Sequence, residues 1–213
     1  LTPGAPLDID AFLGEFQQAL EYLELDKVHP YKNTTTLASG NWKSTADGYL
    51  DGYHIGYLHS KNLGLKQINN RNTWDLLGPH VRLGFANKTL PAIKEQPESE
   101  WNLPDVMSVV HYVFPNVSIS GQPGRTTMVS IILPGTTVDT SQVHQTQYSR
   151  VPIVLSKPLP KVVSWAVEGS VGSIVESVMS TYGADTRSPI TSISTSCSAY
   201  GAASSSALKY WLE

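Results

Sequence analysis

The sequence predicts an α+β fold from three observations. Residues 8–23 place apolar side chains at helical spacing, and residues 45–58 place acidic and histidine side chains on one helical stripe. Residues 66–155 are β-rich and are interrupted by turn residues. Apolar and polar residues alternate in TTMVSIIL and VDTSQVHQTQY, which is typical of antiparallel strands with one solvated face. Long antiparallel strands around helices give an α+β domain.

The first helix is predicted over residues 8–23, with Asp8 or Asp10 as its N-cap. Its apolar face is formed by Phe12, Phe16, Leu20 and Leu23. A strand is predicted at 31–42, because its run of threonines favours β structure. The second helix is predicted from about Thr45 to Leu58.

Six further strands are predicted, at residues 66–76, 79–88, 106–114, 117–121, 126–133 and 137–150. The segment 92–104, rich in Pro and Glu, is predicted to be a loop, and GQPG at 121–124 a hairpin turn. His80 and His144 are expected in or near exposed strand positions, and His111 as a packing residue.

Composition limits the function classes. The 213 residues are predicted to form one domain, 1–213, and the net charge of −3 gives no basic field for nucleic acid. No apolar run approaches the roughly 20 residues of a membrane-spanning helix. The lone Cys197 excludes an intramolecular disulfide and indicates a reducing, cytoplasmic compartment. Because the sequence begins at Leu1 and shows no signal-like segment, we expect it to be part of a longer protein.

The segment NWKSTADGYLDGYHIGYLH, residues 41–59, carries the candidate chemistry. On a helix, Asp47, Asp51 and His54 form one stripe, whereas His59 falls off it. A π-type turn between the two histidines would aim both imidazoles at one point, so we predict a locally widened turn there. Two converging imidazoles beside carboxylates indicate a transition-metal site.

Three glycines punctuate the same segment, at positions 48, 52 and 56. Each costs roughly 1 kcal/mol relative to alanine in a helix interior. This density of glycine predicts either close packing of another backbone or a surface kept open for a ligand.

The segment resembles the iron-binding motif of the Rieske-type non-haem iron oxygenases, the large (alpha) subunits of aromatic-ring-hydroxylating dioxygenases. The family pattern is N-W-K, three residues, E-N, an aromatic residue, and D-x-Y-H-x4-H. The positions that match in register are Asn41, Trp42, Lys43, Tyr49, Asp51, Tyr53, His54 and His59. Leu13-Gly14 and Phe114-Pro115-Asn116 support the match, which covers about residues 5–150.

The resemblance implies a helix-grip fold, in which a curved antiparallel sheet wraps a long C-terminal helix. It also implies that His54 and His59 bind a mononuclear Fe(II), which uses O2 to hydroxylate an aromatic substrate. Asp51 is then the catalytic residue that bridges a metal histidine and a [2Fe-2S] Rieske cluster.

The cluster needs two cysteines and two histidines, so its domain is expected to be absent from this chain. The family further implies electrons from NAD(P)H through ferredoxin or reductase partners, and a homotrimer or an alpha3beta3 assembly.

The motif departs from the family pattern at two positions. Asp47 stands where the family usually has Glu, and Gly48 stands where it usually has Asn. The second change removes an amide that normally lies near the iron, so substrate orientation or reactivity is expected to differ. Asp47 and Val117 are the predicted substrate-binding residues, with Asn116 as a further pocket candidate on resemblance.

The third iron ligand in this family is a carboxylate early in the C-terminal helix. If Ile174-Val175-Glu176 matches the family landmark there, the ligand register falls on Ser170 or Val171, neither of which binds iron well. Glu168 is the nearest earlier acid and is the predicted third ligand. The alternatives are Glu176 and Asp185.

Residues 157–213 are crowded with Ser, Ala, Gly and Thr and lack the family's acid- and histidine-containing pattern. Either this part has diverged and lost its acid ligand, or it is read in a shifted frame. Three function classes therefore stay open: an oxygenase catalytic domain, a helix-grip ligand-binding domain without competent iron, and a hydrolytic zinc site.

Overall fold

The computed structural model describes residues 4, 6–61, 63–68, 70–121, 126–150 and 152. Within them one antiparallel sheet of seven strands has the order β1-β7-β6-β5-β4-β3-β2. The strands are β1 (His29–Ser39), β2 (Thr73–Leu77), β3 (His80–Ala86), β4 (Met107–Val113), β5 (Val117–Ser120), β6 (Thr127–Pro134) and β7 (Thr140–Ser149). Strands β2 to β7 form a meander. The first strand in the chain, β1, pairs with the last, β7, and forms the opposite edge of the sheet from β2.

Six short α-helices surround this sheet in the described part of the chain. They are α1 (Ile9–Leu13), α2 (Phe16–Glu21), α3 (Trp42–Leu50), α4 (Ile55–Leu58), α5 (Leu63–Lys66) and α6 (Leu103–Val106). Single 3-10 turns lie at Leu25–Lys27, Leu90–Ile93 and Glu98–Glu100. None of these helices is long and apolar enough to cross a membrane.

The inner face of the sheet, defined here as the face that carries α3, holds the central core. Ala46 of α3 packs with the strand residues Tyr112, Ile132 and Val143. Polar contacts fix the same helix, since the Thr45 and Ser141 hydroxyls lie 2.9 Å apart. The Gln145 side-chain amide also donates to the Tyr49 hydroxyl, at 3.0 Å. These contacts hold the first half of the candidate motif against β6 and β7.

Helices α1 and α2 cover the opposite, outer face. The Asp8 carboxylate caps α1 by accepting the Ala11 N–H, as the sequence predicts. The predicted single helix over 8–23 is instead broken after Leu13, because Gly14 adopts φ 50, which favours glycine. The Phe16 ring is buried and stacks on His80, with ring centroids 4.9 Å apart.

His80 is fully buried, so the expectation that it lies in an exposed position is wrong. Its Nδ1 accepts the Phe114 N–H, and its Nε2 donates to the Phe12 carbonyl, at 3.2 and 2.9 Å. Both bonds are satisfied by a neutral imidazole, and they tie α1 to the strands beneath it. His111 lies beside Phe16 on the same outer face, which fits the predicted packing role.

The α+β fold class is confirmed. Each of the seven observed strands overlaps one of the seven predicted strands. The prediction of a strand over 66–76 is wrong in its first half, where α5 and an isolated bridge at Gln67 precede β2. The predicted loop at 92–104 contains short 3-10 segments, and the C-terminal helix that the resemblance implies would lie outside the described residues.

Candidate metal centre

The candidate motif begins as a regular helix and then breaks. Asn41 caps α3 by accepting the Lys43 N–H at 2.9 Å. The helix ends at Leu50, and Asp51 takes an extended conformation with φ −84 and ψ 118. Its Oδ1 accepts the Tyr53 N–H at 2.8 Å, which turns the chain toward α4. The single helix predicted over 45–58 is therefore wrong, because the Asp51 side chain stabilises a turn in its middle.

His54 and His59 stand at the two ends of α4. The His54 carbonyl accepts the Leu58 N–H at 2.8 Å, and the His59 N–H donates to the Ile55 carbonyl at 3.2 Å. These are ordinary α-helical bonds, so the predicted π-type turn is wrong. The rings nevertheless lie side by side, with centroids 5.2 Å apart and an interplanar angle of 71°. The two rings therefore meet across the single short helix α4, which begins after His54 and ends before His59, and not across a widened turn.

Asp51 contacts the first histidine directly. Its Oδ2 lies 3.3 Å from Nδ1 of His54, whose side chain is 11% exposed. A carboxylate in this position favours the tautomer with hydrogen on Nδ1 and leaves Nε2 as the nitrogen for a metal. One carboxylate thus fixes both the turn and the orientation of His54.

His59 is deeply buried, and its ring has no hydrogen-bond partner in the described part of the chain. Its side chain is 2% exposed, and neither ring nitrogen is satisfied. Burial lowers the pKa of His59, and the neighbouring His54 lowers it further. The imidazole is therefore held neutral, which is the form that binds a transition metal.

Two glycines allow close packing around the histidines. A Cβ on Gly52 would meet the Asn72 side-chain amide and would lie 2.7 Å from the Phe85 ring. A Cβ on Gly64 would lie 2.9 Å from the Ile55 carbonyl oxygen. The Gly64 N–H donates to the His59 carbonyl at 2.8 Å, so α5 closes directly onto α4. Close packing therefore accounts for glycine at position 52.

Asp47 and Val117, the predicted substrate-binding residues, lie in different surroundings. Asp47 is on α3, where partial burial raises the pKa of its carboxyl. Burial and then the Asp47 charge raise the pKa of Tyr112 to about 12, which places Asp47 beside the inner face. Ser118 pairs with Tyr112 and shares its inner face. Because neighbouring side chains of a strand alternate, Val117 points to the outer face. The strand register places Val117 on the face opposite α3, and its substrate contact stays a prediction.

The third ligand is not among the described residues. Glu168, the predicted ligand, lies outside them, as do Glu176 and Asp185. Within the described ranges no group of three His, Cys, Asp or Glu side chains could hold a metal ion. The described site is therefore a two-histidine half-site with one supporting carboxylate.

This half-site fits a ferrous ion. The two imidazoles are adjacent, Asp51 fixes one of them, and the other carries two unsatisfied buried nitrogens. Two histidines and one carboxylate with open positions are the donor set of non-haem Fe(II) oxygenases. The described residues thus offer two imidazoles and one carboxylate that contacts the first of them.

The sequence does not point to two carboxamides in the segment between α5 and β2, those of buried Gln67 and half-buried Asn72. The side-chain oxygen of each has no hydrogen-bond partner among the described residues. No spacing in the sequence marks them, and only the fold brings the Asn72 side chain against Gly52 of the motif.

A family model described as "Ring hydroxylating alpha subunit (catalytic domain)" matches residues 25–167. No curated protein sequence matches the chain significantly. The match to the family ends one residue before Glu168, so it includes both histidines and Asp51 but not the predicted third ligand.

Solved structures share the fold at low sequence identity. An inhibitor complex of the quaternary ammonium Rieske monooxygenase CntA has a TM-score of 0.62 at 14% identity, over 83% of this chain and 46% of that one. A second CntA structure, described as revealing insights into carnitine oxidation by gut microbiota and inter-subunit electron transfer, has a TM-score of 0.60 at 14% identity, with coverages of 83% and 46%.

The F352V mutant of naphthalene 1,2-dioxygenase, bound to phenanthrene, has a TM-score of 0.53 at 18% identity, over 85% of this chain and 49% of that one. The chain thus spans about half the length of the proteins it resembles. At these identities the likeness concerns the fold.

Proposed function

The chain belongs to the family of ring-hydroxylating alpha-subunit catalytic domains, and on that premise we propose that it is the catalytic domain of an aromatic-ring-hydroxylating dioxygenase. His54 and His59 bind mononuclear Fe(II) in this proposal, and a carboxylate from the C-terminal part of the chain, Glu168 in our prediction, completes the set. When bound, the iron supplies the site where dioxygen is activated for insertion into the substrate.

The observation that carries the proposal is the pairing of the two histidines. Their ring centroids lie 5.2 Å apart, and His59 keeps both ring nitrogens free of hydrogen bonds to described residues while only 2% exposed. Burying an unsatisfied polar group costs free energy. A metal ion bound to a His59 nitrogen would offset that cost.

The protein's own contribution is to orient and protect these ligands. Asp51 holds Nδ1 of His54 and leaves Nε2 available, and burial keeps His59 neutral at physiological pH. Close packing at Gly52 and Gly64 fixes α4 between its neighbours. The ligands are thus positioned before the metal arrives.

Electrons would come from a [2Fe-2S] Rieske cluster carried by a domain outside this sequence. A single cysteine, Cys197, cannot supply the two that such a cluster needs. We propose that the cluster belongs to a neighbouring subunit of a homotrimer or alpha3beta3 assembly. NAD(P)H would reduce it through a ferredoxin or reductase partner. The lone cysteine suits a cytoplasmic location.

The substrate is proposed to be an aromatic small molecule that receives both oxygen atoms of O2. The solved neighbours include a monooxygenase and a dioxygenase, so the number of atoms inserted needs a direct measurement. Turnover of the reconstituted system under 18O2, followed by mass spectrometry of the product, gives that number. Two labelled atoms per product support dioxygenation, and one labelled atom supports mono-oxygenation.

Metal analysis of the full chain, purified without oxygen and reconstituted, tests the metal assignment. We expect about one iron per chain in the wild type, and loss of that iron in both His54→Ala and His59→Ala. A control, His144→Ala, changes a half-buried histidine of β7 that lies 3.0 Å from the Thr35 hydroxyl, and it should keep its iron.

Two other functions correspond to other outcomes of the same measurement. A helix-grip ligand-binding domain without competent iron would hold no metal, and the departures at Gly48, Ser170 and Val171 favour this alternative. A hydrolytic site would hold zinc in preference to iron. Either result would contradict the oxygenase proposal.

A further inference from the structure

We propose that Lys88 is a positioning residue for His59, because it holds α5 against the end of α4 that carries this histidine. The inference rests on the proposed function, since it assumes that His59 is a metal ligand. Lys88 lies outside the motif, in the turn that follows β3, and it acts through the backbone of Gly64.

The two histidines are held in different ways. The Asp51 carboxylate contacts the ring of His54 directly, at 3.3 Å. The ring of His59, in contrast, has no hydrogen-bond partner in the described part of the chain. Ile55 packs in an apolar cluster with β3 side chains, which anchors the N-terminal end of α4. The direction of the His59 side chain therefore depends on how its own backbone is fixed.

Two backbone hydrogen bonds fix His59. Its N–H donates to the Ile55 carbonyl at 3.2 Å, within α4, and its carbonyl accepts the Gly64 N–H of α5 at 2.8 Å. A Cβ on Gly64 would lie 2.9 Å from the Ile55 carbonyl oxygen and 3.1 Å from that of His59. Glycine thus lets α5 approach the last turn of α4 closely, and the position of α5 helps to set the backbone of His59.

Lys88 contacts α5 at two points. Its backbone N–H donates to the Lys66 carbonyl at 2.8 Å, and its ammonium donates to the Gly64 carbonyl at 3.2 Å. A charged donor makes a stronger hydrogen bond than a neutral one. Gly64 therefore donates its N–H to His59 and accepts a hydrogen bond from Lys88, so this one glycine joins the histidine to the turn after β3.

The turn that carries Lys88 is itself tied to the sheet. Asn87, the preceding residue, donates its N–H to the Val106 carbonyl at 2.7 Å, directly before β4. A series of hydrogen bonds therefore leads from β4 through this turn and Gly64 to the backbone of His59.

The charge of Lys88 offers a rival explanation, which predicts the opposite sign. A cation near a metal site repels the metal, so removal of its charge alone would tighten metal binding. Removal of the hydrogen bond to Gly64 would instead loosen α5 and weaken metal binding. Lys66 of α5 is also exposed, as Lys88 is, so Lys66→Met is a control for the loss of charge alone.

The test compares Lys88→Met, Lys88→Arg and Lys66→Met with the wild type, each as the full chain. Co(II), which binds N and O ligands more tightly than Fe(II), is titrated into the metal-free proteins and followed by its visible absorption. Urea unfolding of the metal-free proteins checks that each variant is folded during the titration. Amide hydrogen exchange of the same metal-free proteins, measured by NMR, reports on the Gly64 N–H.

We expect Lys88→Met to weaken Co(II) binding about 10-fold, the lower end of the range found when outer partners of metal ligands are removed. The Gly64 amide of the metal-free variant should exchange faster, because α5 is held less tightly. Lys88→Arg keeps a charged donor and should behave as the wild type in both measurements. Lys66→Met should weaken neither Co(II) binding nor the protection of the Gly64 amide.

Gly64→Ala disturbs the same link from its other side. The new methyl group would press on the Ile55 and His59 carbonyls, so this variant should also weaken Co(II) binding. Because both changes act on one link, the double variant Lys88→Met/Gly64→Ala should lose less affinity than the two single losses combined. Fully additive losses would contradict a shared route.

Equal or tighter Co(II) binding by folded Lys88→Met would overturn the assignment, and tighter binding by Lys66→Met as well would identify charge as the cause. Weaker binding without faster exchange of the Gly64 amide would contradict the route through α5. If the wild type binds no Co(II), the proposed function fails and the inference fails with it. Normal binding by both the wild type and Lys88→Met would contradict the inference alone.

Discussion

Asp51 uses its two carboxylate oxygens for different contacts. Oδ1 accepts the Tyr53 N–H and turns the chain after α3, while Oδ2 lies 3.3 Å from Nδ1 of His54. The side chain of Asp51 is 38% exposed, whereas that of His54 is 11% exposed. Asp51 therefore extends from the buried His54 toward the surface, which suits the proposed connection to a Rieske cluster on a neighbouring subunit.

Asp51→Asn separates these two contacts. The amide oxygen can still accept the Tyr53 N–H, but the negative charge beside His54 is lost. We expect coupled turnover with the electron donors to fall at least tenfold, while iron content stays near one per chain. Asp51→Ala should give the same loss of turnover with a lower unfolding free energy, by about 1 kcal/mol, since it also removes the turn contact.

Asp139→Asn, in the exposed turn between β6 and β7, is the control for Asp51→Asn and should keep both turnover and iron. Loss of iron in Asp51→Asn would contradict the bridging role and would make Asp51 a residue that only holds His54.

His111 is a buried histidine that the proposed chemistry does not use. It lies on the outer face beside Phe16, and burial with the nearby Arg82 charge lowers its pKa to about 4. Arg82 is itself paired with Asp75 at 2.8 Å, and a hydrogen bond to the Ile119 backbone opposes the shift. The folded protein therefore keeps His111 neutral where the unfolded chain would protonate it.

This difference predicts acid sensitivity with a defined sign. Between the ordinary pKa of 6.5 and about 4, the unfolded state binds a proton that the folded state does not, so stability falls as pH falls. The contribution of His111 should reach about 3 kcal/mol below pH 4. Urea unfolding at pH 7 and pH 4 should show a smaller loss of stability in His111→Gln than in the wild type. An equal loss in both proteins would contradict the prediction.

The break between α3 and α4 separates the helix that packs on the sheet from the helix that carries both histidines at its ends. The sequence pattern predicted a helical stripe of Asp47, Asp51 and His54, and the Asp51–His54 contact of that stripe is present. The break could not be predicted from spacing, because it depends on a side chain capping a turn and on Asn72 arriving from the segment before β2. The prediction that the two imidazoles lie close together agrees with the structure, but the π-type turn predicted between them is wrong.

Gly52→Ala tests how tightly that break is packed. The new methyl group would meet the Asn72 amide and the Phe85 ring, and overpacking of this kind costs about 1–3 kcal/mol. We expect urea unfolding to show that loss of stability. In an Asn72→Ala background the same change should cost less, because one of the two obstructing side chains is shortened. Identical costs in both backgrounds would contradict the contact.

Strand positions were more predictable than helices. Alternation marks β6 and β7 clearly, since Ser141, Val143, Gln145 and Gln147 of β7 are all buried on one face. The first half of the predicted strand at 66–76 is wrong, because the docking of α5 on the His59 carbonyl is a tertiary contact with no local sequence signature. Asn72, whose side chain lies against Gly52, belongs to the same segment.

At the scale of the whole molecule, the order of the sheet explains why the motif lies where it does. Strand β1 pairs with β7, so α3, which follows β1, crosses the inner face over β6 and β7 and directs α4 toward β3. The family pattern in the sequence predicts roles for both histidines and Asp51, and the structure places these three side chains together. The pattern does not give the outer-face position of Val117, which depends on strand register, and the predicted third ligand, Glu168, lies outside the described residues.

Anomalous scattering at the iron absorption edge, from crystals of the anaerobically reconstituted protein, tests the central claim most directly. The account predicts a single iron peak within bonding distance of one nitrogen from each of His54 and His59, and the same map would identify the third ligand. A peak bound elsewhere, or no peak with the two imidazoles hydrogen-bonded to other groups, would contradict the claim that these histidines form an iron centre.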